Sequence, residues 1–390
     1  MKLLIVIPYI SFVYGGTARV VTEMATAIGS RNVTVDIVTT NADGEKTLDV
    51  RCHQWILESP FRIRYFPCWH RYDLVFSFSM MRWLNQHIDE YDLVHTHTLF
   101  APMLSWLYYL CRRRCVPYLM TPHGMLDTWA LAHKANKKYF YLRWIEKNSL
   151  SKASTIQAIT RSEVNNLAAI GLSNVSLVPN GINWQGSGEF GTANLFYKQF
   201  PETQGKMLLL FLGRIHPKKG LNILTAALAN VRLKFPEVHL VVAGPDSIGY
   251  SREVKEHLAH LNCLDVVTFT GMLDGKLKQA ALAAATLFTL PSYSEGFSMS
   301  VLEAMASGLP CVITTACNFP EAAEASAAYV VETTPEALTH ALIHCLSDPA
   351  LAKAMGDRAR HLVLENYTWD KVADQLVIVY GKVLANQNHL

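Results

Sequence analysis

Arg214, Lys218 and Lys219 lie close together in FLGRIHPKKG, where an apolar run ends at Gly213 and a periodic stretch, LNILTAALANVRL, begins. Cations beside the free N–H groups of a helix start make an anion site. A diphosphate suits it, because a guanidinium and an ammonium clamp separate oxygens. For this segment alone, a solvated basic turn is the alternative. A second segment, PSYSEGFSMSVLEAMASG, sets Glu295 in a Gly-containing loop and Glu303 in the helix that follows. The two are too far apart to be i, i+4 surface neighbours. Glu303 stands between Leu302 and Ala304 in an apolar run, where an unpaired carboxylate is costly, so hydroxyl or amide partners are expected. A ribose diol is one such partner. Glu295, beside Gly296, is placed for sugar hydroxyls. Helix capping or a structural role is the alternative for either carboxylate.

Such loops need rigid elements behind them. Short β-branched runs alternate with longer helical patterns: KLLIVIP, VTVDIVTT, DLVHTH and PYLMTP, then MLLLFLG, HLVVAG, VVTFTG and LFTLPS. That alternation predicts two doubly wound α/β domains with parallel sheets buried on both faces. A chain of 390 residues accommodates two cores and a cleft between them. The boundaries expected are 1–182, a Gly-rich polar linker at 183–205, and 206–369. Ligands in such sheets collect beyond the carboxyl ends of the strands, where all the segments above fall. With 50% apolar and 17% charged residues and a net charge of +3, the chain is globular and lacks the concentrated positive field of a nucleic-acid binder. The N-terminal apolar run stops at Pro8, and no stretch is long enough to span a bilayer, so it reads as a first buried strand in a cytoplasmic protein. The eight cysteines then read as free thiols.

Gly213, Arg214, Lys219 and Gly220, followed by Glu295, Gly296, Phe297 and Glu303, resemble the retaining glycosyltransferases of family four, with their two-Rossmann-domain GT-B architecture. The likeness extends to Gly15-Gly16 after the first strand and to His123-Gly124 after PYLMT, and so covers nearly the whole chain. The family often has Gly where this chain has Ser298. The resemblance implies that Arg214, Lys219, Glu295 and His123 serve catalysis. It also implies donor contacts from Gly15, Gly16, Met272, Leu273, Glu295, Gly296, Phe297, Ser298 and Glu303, Met272 and Leu273 flanking the base. It places a C-terminal helix, about 370–390, back on the N-terminal domain, with Trp369 as a packing anchor. His95 and His97 resemble a common family feature, but packed core histidines explain them equally well.

No Asp-x-Asp occurs, so the carboxylate pair that often holds a divalent metal against a diphosphate is missing. No metal and no cofactor are expected. Arg214, Lys219 and helix-start amides would neutralise the leaving group. The expected reaction is retaining transfer of a hexose from a nucleotide-sugar, UDP before GDP, to a saccharide or lipid-linked saccharide acceptor in polysaccharide biosynthesis. A GT-B epimerase or hydrolase, or an inactive nucleotide-sugar-binding module, remain the alternatives. In HKANKKYFYLRWIEK, cations interleave with aromatics as at an anionic membrane face, yet Lys134, Lys137 and Lys138 gather opposite Arg143 and Lys147 on a helical wheel. A solvated helix fits that split better than peripheral contact with the membrane's inner face.

Overall fold

The computed structural model describes residues 1–71, 74–127, 135–184 and 192–387. The chain forms two compact units, one of Met1–Gly181 with Trp369–Leu390, the other of Ile182–Thr368.

The first unit is built on an eight-stranded sheet. Its strands are β1 (Lys2–Tyr9), β2 (Thr34–Thr40), β3 (Trp55–Glu58), β4 (Phe61–Phe66), β5 (Leu93–His97), β6 (Tyr118–Thr121), β7 (Thr155–Ala158) and β8 (Val175–Leu177), in the order β8-β7-β6-β5-β1-β2-β4-β3. All pairs are parallel except the edge pair β3–β4. Leu3 to Ile7 of β1 are fully buried, as a strand covered on both faces requires. Two helices matter below: α1 (Gly16–Gly29), after β1, and α2 (Arg161–Ala169), whose Thr160 Oγ1 accepts from Glu163 N as an N-cap.

The second unit carries six parallel strands: β9 (Met207–Leu212), β10 (Val238–Ala243), β11 (Val267–Gly271), β12 (Leu287–Leu290), β13 (Cys311–Thr314) and β14 (Tyr329–Val331), in the order β11-β10-β9-β12-β13-β14. Helices α3 (Leu221–Lys234), α4 (Gly275–Ala284) and α5 (Met299–Ala306) follow β9, β11 and β12. The C-terminal helix α6 (Trp369–Gln387) belongs to the first unit. Trp369 is buried, its indole N–H donating to Glu23 at 2.7 Å, while Arg31 pairs with Asp374 at 2.5 Å.

The stretch 183–205 is not simply a linker. Ala193–Gln199 is helical, and Phe196, 1% exposed, is part of the second unit's core, its ring tilted against that of Phe200. Isolated aromatics among polar residues conceal a single-anchor helix, because one buried ring sets no detectable period. Residues 185–191 lie outside the described residues. All eight cysteines are unpaired.

Candidate active site

In the second unit, β9 leads to β10 and β11 on one side, while β12, its neighbour, leads to β13 and β14 on the other. That reversal makes the carboxyl ends of β9 and β12 a topological switch point, the place where such sheets bind ligands. Arg214 follows β9, is exposed, and makes no side-chain hydrogen bond or ion pair among the described residues. Lys219 ends the turn Pro217–Lys219, and its Nζ lies 2.6 Å from Glu295 Oε1 in the loop after β12. Ser292 Oγ donates to the same carboxylate oxygen, and both members of the pair are largely buried, at 14% and 10% side-chain exposure. Glu295 is thus held within the loop by an ammonium and a hydroxyl on one carboxylate oxygen.

The two loops meet because of Gly220. Its φ is 68°, and a Cβ there would lie 1.9 Å from the carbonyl oxygen of Pro291. A side chain would separate the loops that carry Lys219 and Glu295. Tyr293 N donates to Lys218 O at 2.8 Å, and Asn318 Nδ2 to Glu295 O at 2.6 Å, completing the frame. His216 reports the local field: its pKa is lowered, first by burial and then by Arg214, Lys218 and Lys219. Three cations therefore act on one spot beside the start of α3, whose N-cap, Gly220, offers no side-chain capping bond.

Glu303, on α5, does find a partner, but an ammonium: Lys278 Nζ on α4 is 2.7 Å from Glu303 Oε1. Sequence reasoning missed Lys278, because a lysine in the first turns of an ordinary helix gives no signal until another helix is laid beside it. Met272 is 71% exposed beyond β11, whereas Leu273 is buried in the unit's core, leaving only its backbone to meet a base. Phe297 likewise turns its ring inward, against Phe319 and Tyr367. Ser298 is buried at the N-cap of α5, its hydroxyl 3.2 Å from that of Ser300, and Gly296 is partly exposed beside it.

In the first unit, Gly15 has φ 103° and Gly16 opens α1; a Cβ on either would meet nothing within 4 Å. His123 follows β6 with φ 55°, and its Nε2 lies 2.9 Å from Nδ1 of the buried His97. Burial pushes the His123 imidazole down to about 4 and His95 to about 3, with His97 well below its usual value. Glu163 anchors the turn after His123: its carboxylate accepts from Gly124 N at 2.7 Å and Ile159 N at 2.8 Å. Burial raises Glu163 to about 7. His95 and His97 are indeed buried, and they form the hydrogen-bonded floor beneath His123.

Of the basic-aromatic segment, residues 133 and 134 lie outside the described residues, as does the Lys137 side chain. Tyr139, Phe140, Trp144 and Ile145 are exposed, as is Arg143. Among the described residues no helix is long and apolar enough to cross a membrane, and no His, Cys, Asp or Glu cluster could hold a metal ion.

Two doubly wound α/β units, the second with cations and carboxylates at its switch point, correspond to two adjoining family models. Residues 14–185 match the model described as Glycosyltransferase Family 4, and residues 195–362 that described as Glycosyl transferases group 1. The chain belongs to this family of group 1, family-four glycosyltransferases. It is 25% identical to a D-inositol 3-phosphate glycosyltransferase of Streptomyces griseus subsp. griseus, over 95% of this chain and 85% of that protein. Identity to an uncharacterized glycosyltransferase of Methanocaldococcus jannaschii is also 25%, over 75% of this chain and 76% of the relative. Among solved structures, sucrose-phosphate synthase from Thermosynechococcus elongatus superposes with a TM-score of 0.79 at 22% identity, covering 99% and 100% of the two chains. Anabaena HepE, in complex with UDP and glucose, superposes with a TM-score of 0.77 at 18% identity, covering 98% and 100%.

Proposed function

We propose that this chain moves a hexose-type sugar from a nucleotide diphosphate donor, a UDP-sugar first, to a saccharide or lipid-linked saccharide in polysaccharide biosynthesis. We infer further that transfer retains anomeric configuration and needs no divalent metal. The observation that carries the reading is the gathering of Arg214, Lys219 and Glu295 at the carboxyl ends of the adjacent strands β9 and β12, with Glu303, paired to Lys278, on the helix that follows β12. In this scheme Arg214, Lys219 and the first amides of α3 stabilise the negative charge that grows on the donor's terminal phosphate. Glu303 accepts the ribose hydroxyls, while Glu295 and His123 hold sugar hydroxyls. Gly15 and Gly16 let backbone N–H groups approach an anionic or hydroxyl-bearing substrate.

Transfer occurs on the face from which the leaving group departs. The acceptor oxygen bonds to the anomeric carbon as its bond to the diphosphate breaks; the electron pair leaves with the phosphate, and the acceptor proton passes to a donor phosphate oxygen. UDP leads because a structural neighbour is described with UDP and glucose; GDP comes second. The exposed aromatics around Trp144, with Arg143 among them, support peripheral contact with the inner face of the membrane. A thermal-shift panel of UDP-, GDP- and ADP-sugars tests the donor, since a ligand at 100 times its Kd adds about 2.7 kcal/mol. The expected result is a rise with the UDP-sugar above the others. A rise confined to GDP- or ADP-sugars would overturn the base assignment, and donor conversion without any acceptor would overturn transfer.

A further inference from the structure

We propose that His97 is a positioning residue: its Nδ1–H donates to His123 Nε2 and fixes His123 as the tautomer that carries its proton on Nδ1. His123 then presents a hydrogen-bond donor, not a base, to a substrate hydroxyl. The inference rests on the reading of His123 as a sugar contact, and the proton assignment follows from the surrounding hydrogen bonds.

The chain of donors begins at Gln157, whose amide N–H donates to Val178 O at 2.9 Å. Its carbonyl oxygen must therefore accept from the Thr121 hydroxyl, also at 2.9 Å. With its proton committed, Thr121 Oγ1 accepts from His95 Nε2 at 2.7 Å, so His95 is protonated on Nε2. His95 Nδ1 then accepts from the Tyr380 hydroxyl at 2.8 Å. Both nitrogens of His95 are committed, and the neighbouring His97 ring, 4.3 Å away between centroids, exchanges no hydrogen bond with it among the described residues.

His97 is different. Its Nδ1 is 2.9 Å from His123 Nε2, while its Nε2 is buried with no partner among the described residues. Burial keeps both rings neutral, so a single proton lies between them. Were that proton His123's, His97 would carry its own on Nε2, burying an N–H that has no acceptor. Were it His97's, the unpartnered atom is a bare lone pair. Orphaned buried N–H groups are the rarer defect, so the proton belongs to His97. His97 also ends the chain: with nothing at Nε2 to receive a proton, His123 has no inward relay, and its role is to hold a hydroxyl.

Two-bond 1H–15N correlation spectra of the full chain read each imidazole tautomer directly. The expected wild-type result is His123 protonated on Nδ1. His97→Asn should preserve it, because the amide Nδ2 stands close to the ring Nδ1. His97→Leu should release His123 into a mixture of tautomers and raise the KM for the nucleotide-sugar roughly tenfold, with free-nucleotide affinity unchanged. Wild-type His123 protonated on Nε2, or a tautomer unmoved in His97→Leu, overturns the proposal. A tautomer that shifts with no change in KM instead sinks His123 as a sugar contact and leaves the proton assignment standing. The wild-type spectrum decides by itself should His97→Leu fail to fold.

Discussion

Removing Lys219 tests the site's electrostatics and its architecture at once. At 2.6 Å the gross Coulomb attraction between Lys219 and Glu295 is about 6 kcal/mol at an effective dielectric of about 20. Most of that offsets desolvation of two largely buried charges. Truncating one partner leaves the Glu295 carboxyl group with the Ser292 hydroxyl as its remaining side-chain donor, which costs about 2–3 kcal/mol, somewhat below the range for fully buried pairs. A strand-end turn would ordinarily tolerate the change; here Lys219→Ala should lower Tm by roughly 4–10 °C in a unit of this size. Independently, loss of a cation facing the leaving group removes about 3 kcal/mol of transition-state stabilisation, or roughly a hundredfold in kcat at saturating donor. Calorimetry and steady-state kinetics on Lys219→Ala and Lys219→Ala/Glu295→Gln separate the two effects. The double variant should regain most of the lost Tm, since no unpaired carboxylate remains, yet recover none of the kcat. A Lys219→Ala enzyme with near-wild-type kcat would refute the electrostatic role, and an unchanged Tm would refute the buried pair.

Glu303→Ala should weaken binding of free UDP about tenfold to a hundredfold, by calorimetric titration; unchanged UDP affinity with impaired folding would make the Lys278–Glu303 pair purely structural. EDTA should leave turnover nearly unchanged, and activity restored only by Mg²⁺ or Mn²⁺ would sink the metal-free scheme. Glu146 is fully buried, with one carboxylate oxygen unpartnered, and burial raises it to about 7. Its folded pKa exceeds the unfolded value, so the folded state binds the extra proton. Stability should therefore fall as pH rises from about 4.5 through 7, by roughly 2–3 kcal/mol from this group. Urea titrations at pH 5 and 8 should show that fall flattened in Glu146→Gln, and equal slopes would exclude Glu146 as its source. Gly220→Ala should destabilise by more than about 3 kcal/mol, given the 1.9 Å clash, whereas Gly16→Ala, facing open space, should keep its Tm and lose activity. A fully active Gly16→Ala would show that nothing approaches that helix start.

Continuous apolar runs such as KLLIVIP and MLLLFLG are legible as parallel strands because burial on both faces removes polar alternation, and the Gly-Arg and Glu-Glu segments announce themselves by charge set in apolar surroundings. Local sequence thus determined two doubly wound units and most of the residues at their strand ends. Tertiary structure decided the partners. Glu295 is paired with Lys219, distant in sequence, because β9 and β12 are neighbours at the switch point and Gly220 lets their loops touch. Glu303 meets Lys278 because α4 and α5 bring them together, and Leu273 and Phe297 turn into the core because packing claimed their side chains. The floor beneath His123 draws on β5, β6, β7 and α6, whose proximity no window of sequence contains. Spacing along a chain records which groups share an element; hydrogen bonds and ion pairs act over about 3 Å, so their partners are fixed only once the sheets have ordered their strands.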